Sequence, residues 1–549
     1  MNFIFTIFII LLFLLSNCVC NIDESLRITN EILTKIWNDW EIDKYPTFLI
    51  SGYMPRHSYE LIKHRFKKII SHAIFNGKTK ENDNILTSSK LKFVISFMGS
   101  SVTAGHDSPS NMSFPVVTEK LMKLPFKTAG IDLEIRNTAM GNNPCLPYDA
   151  CSQTFSGHDA DIIHWEQSYN CFPTDEGPKT RSIFETFVRQ IALMENRPII
   201  VFSDSNTPNW HASDCPANRS KTIFPSKDEI NALKSIKSDG SGLHLFTDSN
   251  SKIMNMWGAI KHLVGHYPST GMQFFTHSGY EKYKCKGPYI DEWGCCSASW
   301  HPSRTGHALR AAHHAYTWLT IWKTALSEMA TKMKSSNNKI TKQDMERHLK
   351  PIQDVIPKRN LYDNMLGDGK IQCFTDFEPH YDMSSNLTNI VIHSSNWKKS
   401  IMETIFEPNS RIVEIARKKG YADFKWLLYG SKEEGPLYLD INVHKQGHIM
   451  LCQPPGSWGK IPDKFASLWN NQTIDIHITP NIDKINKENF QFTSEIKTKS
   501  IQYYIINPRP KDGQSVCGYT DKEVPIGSHV LTLSPLTSSF MMLSVILIP

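Results

Sequence analysis

From residue 91 the chain alternates short apolar runs with segments of helical spacing; beyond about 360, apolar positions recur every second residue. Leu91 to Met98 is an unbroken run expected to form a buried strand, closed by a Gly/Ser turn. Ile131 to Met140 and Asp161 to Glu166 are two more strand candidates. Between Ser182 and Glu195 the residues Ile183, Phe184, Phe187, Ile191 and Leu193/Met194 follow helical spacing. They run directly into another strand candidate, Arg197 to Phe202. Strand, helix, strand alternation predicts a mostly parallel α/β sheet. A long helix is expected at about 304 to 334, with Leu309, Ala312, Tyr316, Leu319, Trp322, Leu326 and Met329 as its sheet-facing stripe.

Residues 21–90 read as polar and helical, with Lys/His-rich stretches such as His64 to Lys68, and are expected to cover the domain that follows. The Lys-rich stretch 335–360 reads as a linker. In the remainder, 361–549, Leu437, Leu439, Ile441 and Val443 alternate with polar residues, as do Ile474, Ile476 and Ile478. Further runs at Lys425 to Tyr429, Ile449 to Cys452, Ile501 to Ile506, His529 to Leu533 and Phe540 to Ile548 predict an antiparallel β-sandwich.

Composition changes this picture little: 40% hydrophobic and 21% charged residues are those of an ordinary globular protein. The balance of 60 Lys+Arg against 54 Asp+Glu is spread along the chain, which sets nucleic-acid binding aside. The N-terminus adds more. Residues 1–20 carry no charge, and the apolar core from Phe3 to Leu15 is shorter than the roughly 20 residues of a membrane span. This reads as a secretory signal cut after Cys20, with an uncleaved anchor as the other reading. The expected location is extracellular or the secretory lumen, with no stable membrane span. Of the twelve cysteines ten then remain, seven between Cys145 and Cys296 and three beyond (Cys373, Cys452, Cys517). Both groups are odd, so either one bridge crosses between the halves or two thiols stay free. The sequons at Asn111, Asn218, Asn386 and Asn471 fit an exported glycoprotein.

Chemistry concentrates in four segments. Phe97 to Gly105 places Ser101 in a Gly-flanked turn just after a strand, where open α/β sheets bind ligands. Asn137 to Asn142 follows the second strand, Trp165 to Asn170 the third, and Trp300 to His307 opens the long helix. In this order the four pieces resemble the SGNH (GDSL-type) hydrolase family over about residues 91–334. The resemblance implies a flavodoxin-like three-layer domain in which Ser101 is the nucleophile and His301 the base. It puts the oxyanion hole at Ser101, Gly141 and Asn170. The physical logic agrees: a serine hydroxyl needs an imidazole to take its proton, and the oxyanion needs preplaced donors. It implies no metal and no cofactor.

The sequence departs from the family pattern at Ser100, Ser168 and Cys171, and most seriously at Ala298, where the resemblance would put the acid that orients the base. Asp291 or Glu292 could stand in, or a backbone carbonyl. Glu166 reads as a turn hydrogen-bonder. His307, His313 and His314 read as core or helix-surface histidines, since their spacing does not suit a zinc site. Asp204 and His211 face the same sheet edge, and Trp426 and Tyr438 offer either sugar stacking or packing. The expected function is a secreted serine esterase or deacylase acting on small-molecule or glycan esters, O-acylated carbohydrates above all. A glycan O-acyltransferase and an inactive secreted binding protein are the alternatives.

Overall fold

The computed structural model describes residues 21–40, 42, 56–80, 91–105, 110–140, 148–166, 178–204, 264–268, 304–335, 369–375, 386–393, 397–401, 426–453, 474–480, 500–506, 516–536, 540–542 and 544–548. The signal segment 1–20 and all of the 335–360 linker except Ser335 lie outside them.

Strands β1 (Lys92–Gly99), β2 (Asp132–Asn137), β3 (Ile162–Glu166), β4 (Ile199–Asp204) and β5 (Val264–Pro268) form one sheet in the order β2-β1-β3-β4-β5. Every pairing in it is parallel. Alternation along β1 sends Phe93, Ile95 and Phe97 to one face and Val94 and Met98 to the other, into two separate apolar cores. A strand buried on both sides is an unbroken apolar run, which is why Leu91 to Met98 is legible from sequence. The fifth strand has no such run. Val264–Pro268 is short, polar at His266 and ends on proline, as edge strands do, and sequence reasoning missed it.

Helices α1 (Ile22–Asp39), α2 (Arg56–Lys80), α3 (Ser101–Ala104), α4 (Phe114–Thr128), α5 (Ser152–Ser156), α6 (Pro178–Leu193) and α7 (Arg304–Ser335) complete the unit. The Asn21 side chain caps α1 through the Glu24 amide at 2.9 Å, with Asp23 and Glu24 complementing the helix dipole. Helices α1 and α2 pack on α7. Lys63 and Lys67 reach Glu328 at 2.8 and 2.9 Å, and Tyr59 donates to Thr324 at 2.7 Å. The His64 to Lys68 stretch sits mid-helix, with Phe66 fully buried. Helix α7 buries a wider face than the predicted stripe, because helices surround it: Ala311, Ala315, Trp318 and Ile321 are buried as well, while Tyr316 is only partly so.

Beyond residue 370 the described strands are β6 (Gln372–Thr375), β7 (Val391–His393), β8 (Lys398–Ile401), β9 (Trp426–Gly430), β10 (Leu437–Val443), β11 (His448–Gln453), β12 (Ile474–Pro480), β13 (Ile501–Tyr503), β14 (Ile505–Ile506), β15 (Val516–Thr520), β16 (Gly527–Pro535), β17 (Phe540–Met542) and β18 (Ser544–Ile548). They form antiparallel sheets in the orders β13-β12-β16-β10-β7, β14-β15-β11-β18-β6 and β17-β9-β8. Leu437, Leu439, Ile441, Val443, Ile474, Ile476, Ile478, Leu451 and Val545 enter one continuous core shared by the two larger sheets. The run 540 to 548 divides between two sheets, β17 against β9 and β18 against β11.

The odd cysteine counts resolve here. Cys151, at the start of α5, is bonded to Cys373 in β6, so a bridge does cross between the two units. A second bridge, Cys452–Cys517, joins neighbouring strands β11 and β15. Beside the crossing bridge the Gln190 amide on α6 donates to Gly369 O at 2.7 Å and accepts from Ile371 N at 2.9 Å.

Candidate active site

The strand order reverses direction between β1 and β3, because β1 leads outward to β2 while β3 leads the other way to β4 and β5. Such a switch point leaves a crevice at the carboxyl ends of the strands. Ser101 occupies that place, half-buried, as the first residue of α3 after β1.

The turn around it is held from three sides. Ser100 N donates to Glu166 O of β3 at 3.2 Å. Asn137, last residue of β2, donates through Nδ2 to Thr103 O at 3.0 Å. The Tyr148 hydroxyl accepts from Gly99 N at 3.1 Å and donates to Thr138 O at 2.9 Å. Gly105 ends α3 at φ 91°, its amide reaching the Ser101 and Val102 carbonyls, and a Cβ there would lie 2.6 Å from Ser113 Cβ. That left-handed turn and close approach both require glycine.

The second motif runs alongside. Strand β2 stops at Asn137 rather than continuing to Met140, yet Thr138 N and Met140 N still bond to Phe97 O and Gly99 O at 3.0 and 3.2 Å. The chain preceding Gly141 is thereby laid against the serine turn. Gly141 itself, Asn170, His301, Asp291 and Glu292 lie outside the described residues, as do Cys145, Cys171, His211, Asn218, Asn471 and Ala298. Asp204 ends β4 at the same sheet edge as Ser101. Asn111 is exposed and Asn386 half-buried.

Sequence reasoning missed the layer beneath the turn. Glu166 and Arg310 are both fully buried and form an ion pair, Arg310 Nη2 to Glu166 Oε1. The other carboxylate oxygen, Oε2, accepts from Thr103 Oγ1. One carboxylate thus ties the end of β3 to the serine turn and to α7, six residues into that helix. Arg310 also lies over the Phe114 ring, 4.8 Å from its centroid, and its Nε and Nη1 have no partner among the described residues. Glu166 thus does hydrogen-bond the serine turn, through Thr103, and it is in addition one half of a buried ion pair. The available signal was an arginine set between Leu309 and Ala311 near the start of α7.

Of the two readings, core or helix surface, the core is where His307, His313 and His314 lie: all three are buried, and Phe114 stacks on both His307 and His314. His164 on β3 joins them, its ring 5.0 Å from that of His314. Burial, and then the Arg310 charge, push His164 down to about 3; burial holds His314 well below the usual imidazole range. Both rings are neutral at physiological pH. Among the described residues no group of His, Cys, Asp or Glu could hold a metal ion. Asp149, also fully buried, accepts from Trp165 Nε1 at 3.1 Å, and burial pushes its carboxyl up to about 8. Tyr438 is buried in β10, so it offers no exposed stacking platform; the Trp426 side chain lies outside the described residues.

No family model and no curated protein matches this chain. Among solved structures it is similar to a two-domain esterase active on acetylated mannans, at 12% identity and a TM-score of 0.37, over 83% of this chain and 91% of that one. A carbohydrate esterase whose active site has divergent catalytic and non-catalytic binding functions matches at 16% identity and a TM-score of 0.21, over 41% of this chain and 64% of the other. A chain named as a GDSL-like lipase, from Parabacteroides merdae ATCC 43184, matches at 15% identity and a TM-score of 0.21, over 44% and 98%.

Proposed function

We propose that the chain is a serine ester hydrolase of the SGNH type, exported through residues 1–20, that removes acyl groups from carbohydrates. The observation that carries this reading is the position of Ser101. A half-buried hydroxyl stands at the switch point of a parallel sheet, in a turn fixed by Asn137, Tyr148 and Glu166. Rigid placement of a nucleophile is what acyl transfer demands, since small misplacements cost large factors in rate.

In the proposed reaction Ser101 Oγ attacks the ester carbonyl carbon while His301 takes the hydroxyl proton. The Ser101 and Gly141 amides and the Asn170 side chain hold the oxyanion. Collapse expels the sugar alcohol, which receives the proton from His301. Water then attacks the acyl-serine by the same route and releases a carboxylic acid. Asp291 or Glu292 orients His301 in place of the carboxylate missing at Ala298. Glycans on Asn111, Asn218, Asn386 and Asn471 suit an exported chain. Transfer of the acyl group to a glycan hydroxyl is the same chemistry with a different acceptor.

The test is hydrolysis of p-nitrophenyl acetate by the purified mature chain, beside Ser101→Ala and His301→Ala. Each substitution lowers kcat by roughly 10³-fold or more with the fold intact. A wild-type rate equal to that of the variants, with no labelling by a fluorophosphonate, refutes the reading and leaves a binding protein.

A further inference from the structure

A cavity of about 420 Å³ opens where the α/β unit meets the β-rich unit, beside the Cys151–Cys373 bridge. It is walled by Ala150, Cys151, α5 and His158 on one side, and by β6, β11, β18 and the turn after β10 on the other. The side chains around it are unevenly charged. Lys370 and Lys445, both from the β-rich unit, are the charged side chains among the described lining residues, which include no Asp or Glu; His444 and His448 of the β-rich unit and His158 of the α/β unit add imidazoles. Neither Lys370 nor Lys445 pairs with a carboxylate among the described residues. Glu523, next to the lining residue Val524, is engaged by Gln446 at 2.5 Å. His448 donates from Nδ1 to Thr520 O at 2.7 Å, which leaves Nε2 as its remaining ring nitrogen. Ile449, Leu547 and Ile548 supply an aliphatic floor.

We infer that this cleft binds a small amphipathic anion, a medium-chain aliphatic carboxylate, with its head among the two lysines and its tail on the floor. Pockets of this size bind small organic molecules through an apolar lining and a few placed polar groups. Positive groups without a compensating carboxylate select an anion. Among the described lining residues Phe374 is the one Phe, Tyr or Trp, and it is buried. Both units contribute walls, and the crossing bridge and the Gln190 contacts join the two units beside the cavity. The inference does not depend on the esterase reading.

Isothermal titration of decanoate into the purified mature chain tests it, with decanol, decylamine and glucuronate titrated in parallel. Saturable one-to-one binding of decanoate alone is expected, weakened roughly tenfold or more by Lys370→Glu with Lys445→Glu and unchanged by Ser101→Ala. If that double reversal lowers the melting temperature, Lys370→Gln with Lys445→Gln, which keeps most of the aliphatic stem, carries the same expectation. Equal binding of decanol, binding of glucuronate in place of decanoate, no saturable binding, or indifference to both lysine pairs would overturn the inference.

Discussion

Replacing Arg310 with methionine removes a charge from a place where neither it nor its partner meets water. Both side chains of the pair have zero exposure, so the variant leaves the Glu166 carboxylate with Thr103 as its one side-chain donor among the described residues. Removing one partner of a buried pair costs about 3–5 kcal/mol, chiefly because the other charge is left uncompensated. Glu166→Gln alone incurs a cost of the same kind, since Arg310 then keeps its charge with Nε and Nη1 already unpartnered among the described residues. The double variant leaves neither charge of the pair at this site, and its loss is expected to be well below the sum of the singles. Urea unfolding followed by tryptophan fluorescence measures all four corners of the cycle, with Trp165 and Trp318 buried on either face of the sheet. A coupling of about 2–3 kcal/mol is expected from contacting charged groups. Single-variant losses under about 1 kcal/mol, or losses that simply add, would refute the claim that this pair acts as one unit.

Three further perturbations follow from the same geometry. Asp149 carries a carboxyl pushed up to about 8 against 3.8 unfolded, so the folded state holds more protons between those values and stability falls as pH rises through that window. Asp149→Asn removes this slope, and an unfolding series from pH 4 to 9 should show the variant gaining on wild type by a few kcal/mol at the alkaline end; parallel curves would contradict it. Gly105→Ala combines φ 91° with a Cβ 2.6 Å from Ser113 and should lose at least about 1–2 kcal/mol, with esterase rate falling further than stability; an unchanged denaturation midpoint counts against the strained turn. Cys151→Ser with Cys373→Ser opens a link spanning 222 residues and should lower stability by about 2–5 kcal/mol, read by calorimetry, whereas an unaltered transition would show that the interface does not rely on the bridge.

The amino-acid sequence by itself determined the elements whose residues satisfy a local period. Strand β1 is legible because burial on both faces demands a continuous apolar run, and β10 and β12 because one buried face demands alternation. The turn carrying Ser101 is legible for a related reason: glycine and serine clusters mark positions that other residues cannot adopt. Parity of the cysteines narrowed the bridges to two possibilities without choosing between them, since pairing depends on which Cα atoms the fold brings within reach.

Only the tertiary structure joined residues far apart in the chain. Glu166 and Arg310 are 144 positions apart, and nothing in either neighbourhood says that they share one buried site. Strand β5 depends on β4 as a template, because its own residues carry no pattern that would pick it out. Tyr438 occupies the face that alternation assigns to solvent, yet the packed assembly covers it. The physical reason is the same in each case. Periodicity records the average environment along an element, whereas an ion pair, an edge pairing or a covered face is set by the particular neighbour that folding brings against it.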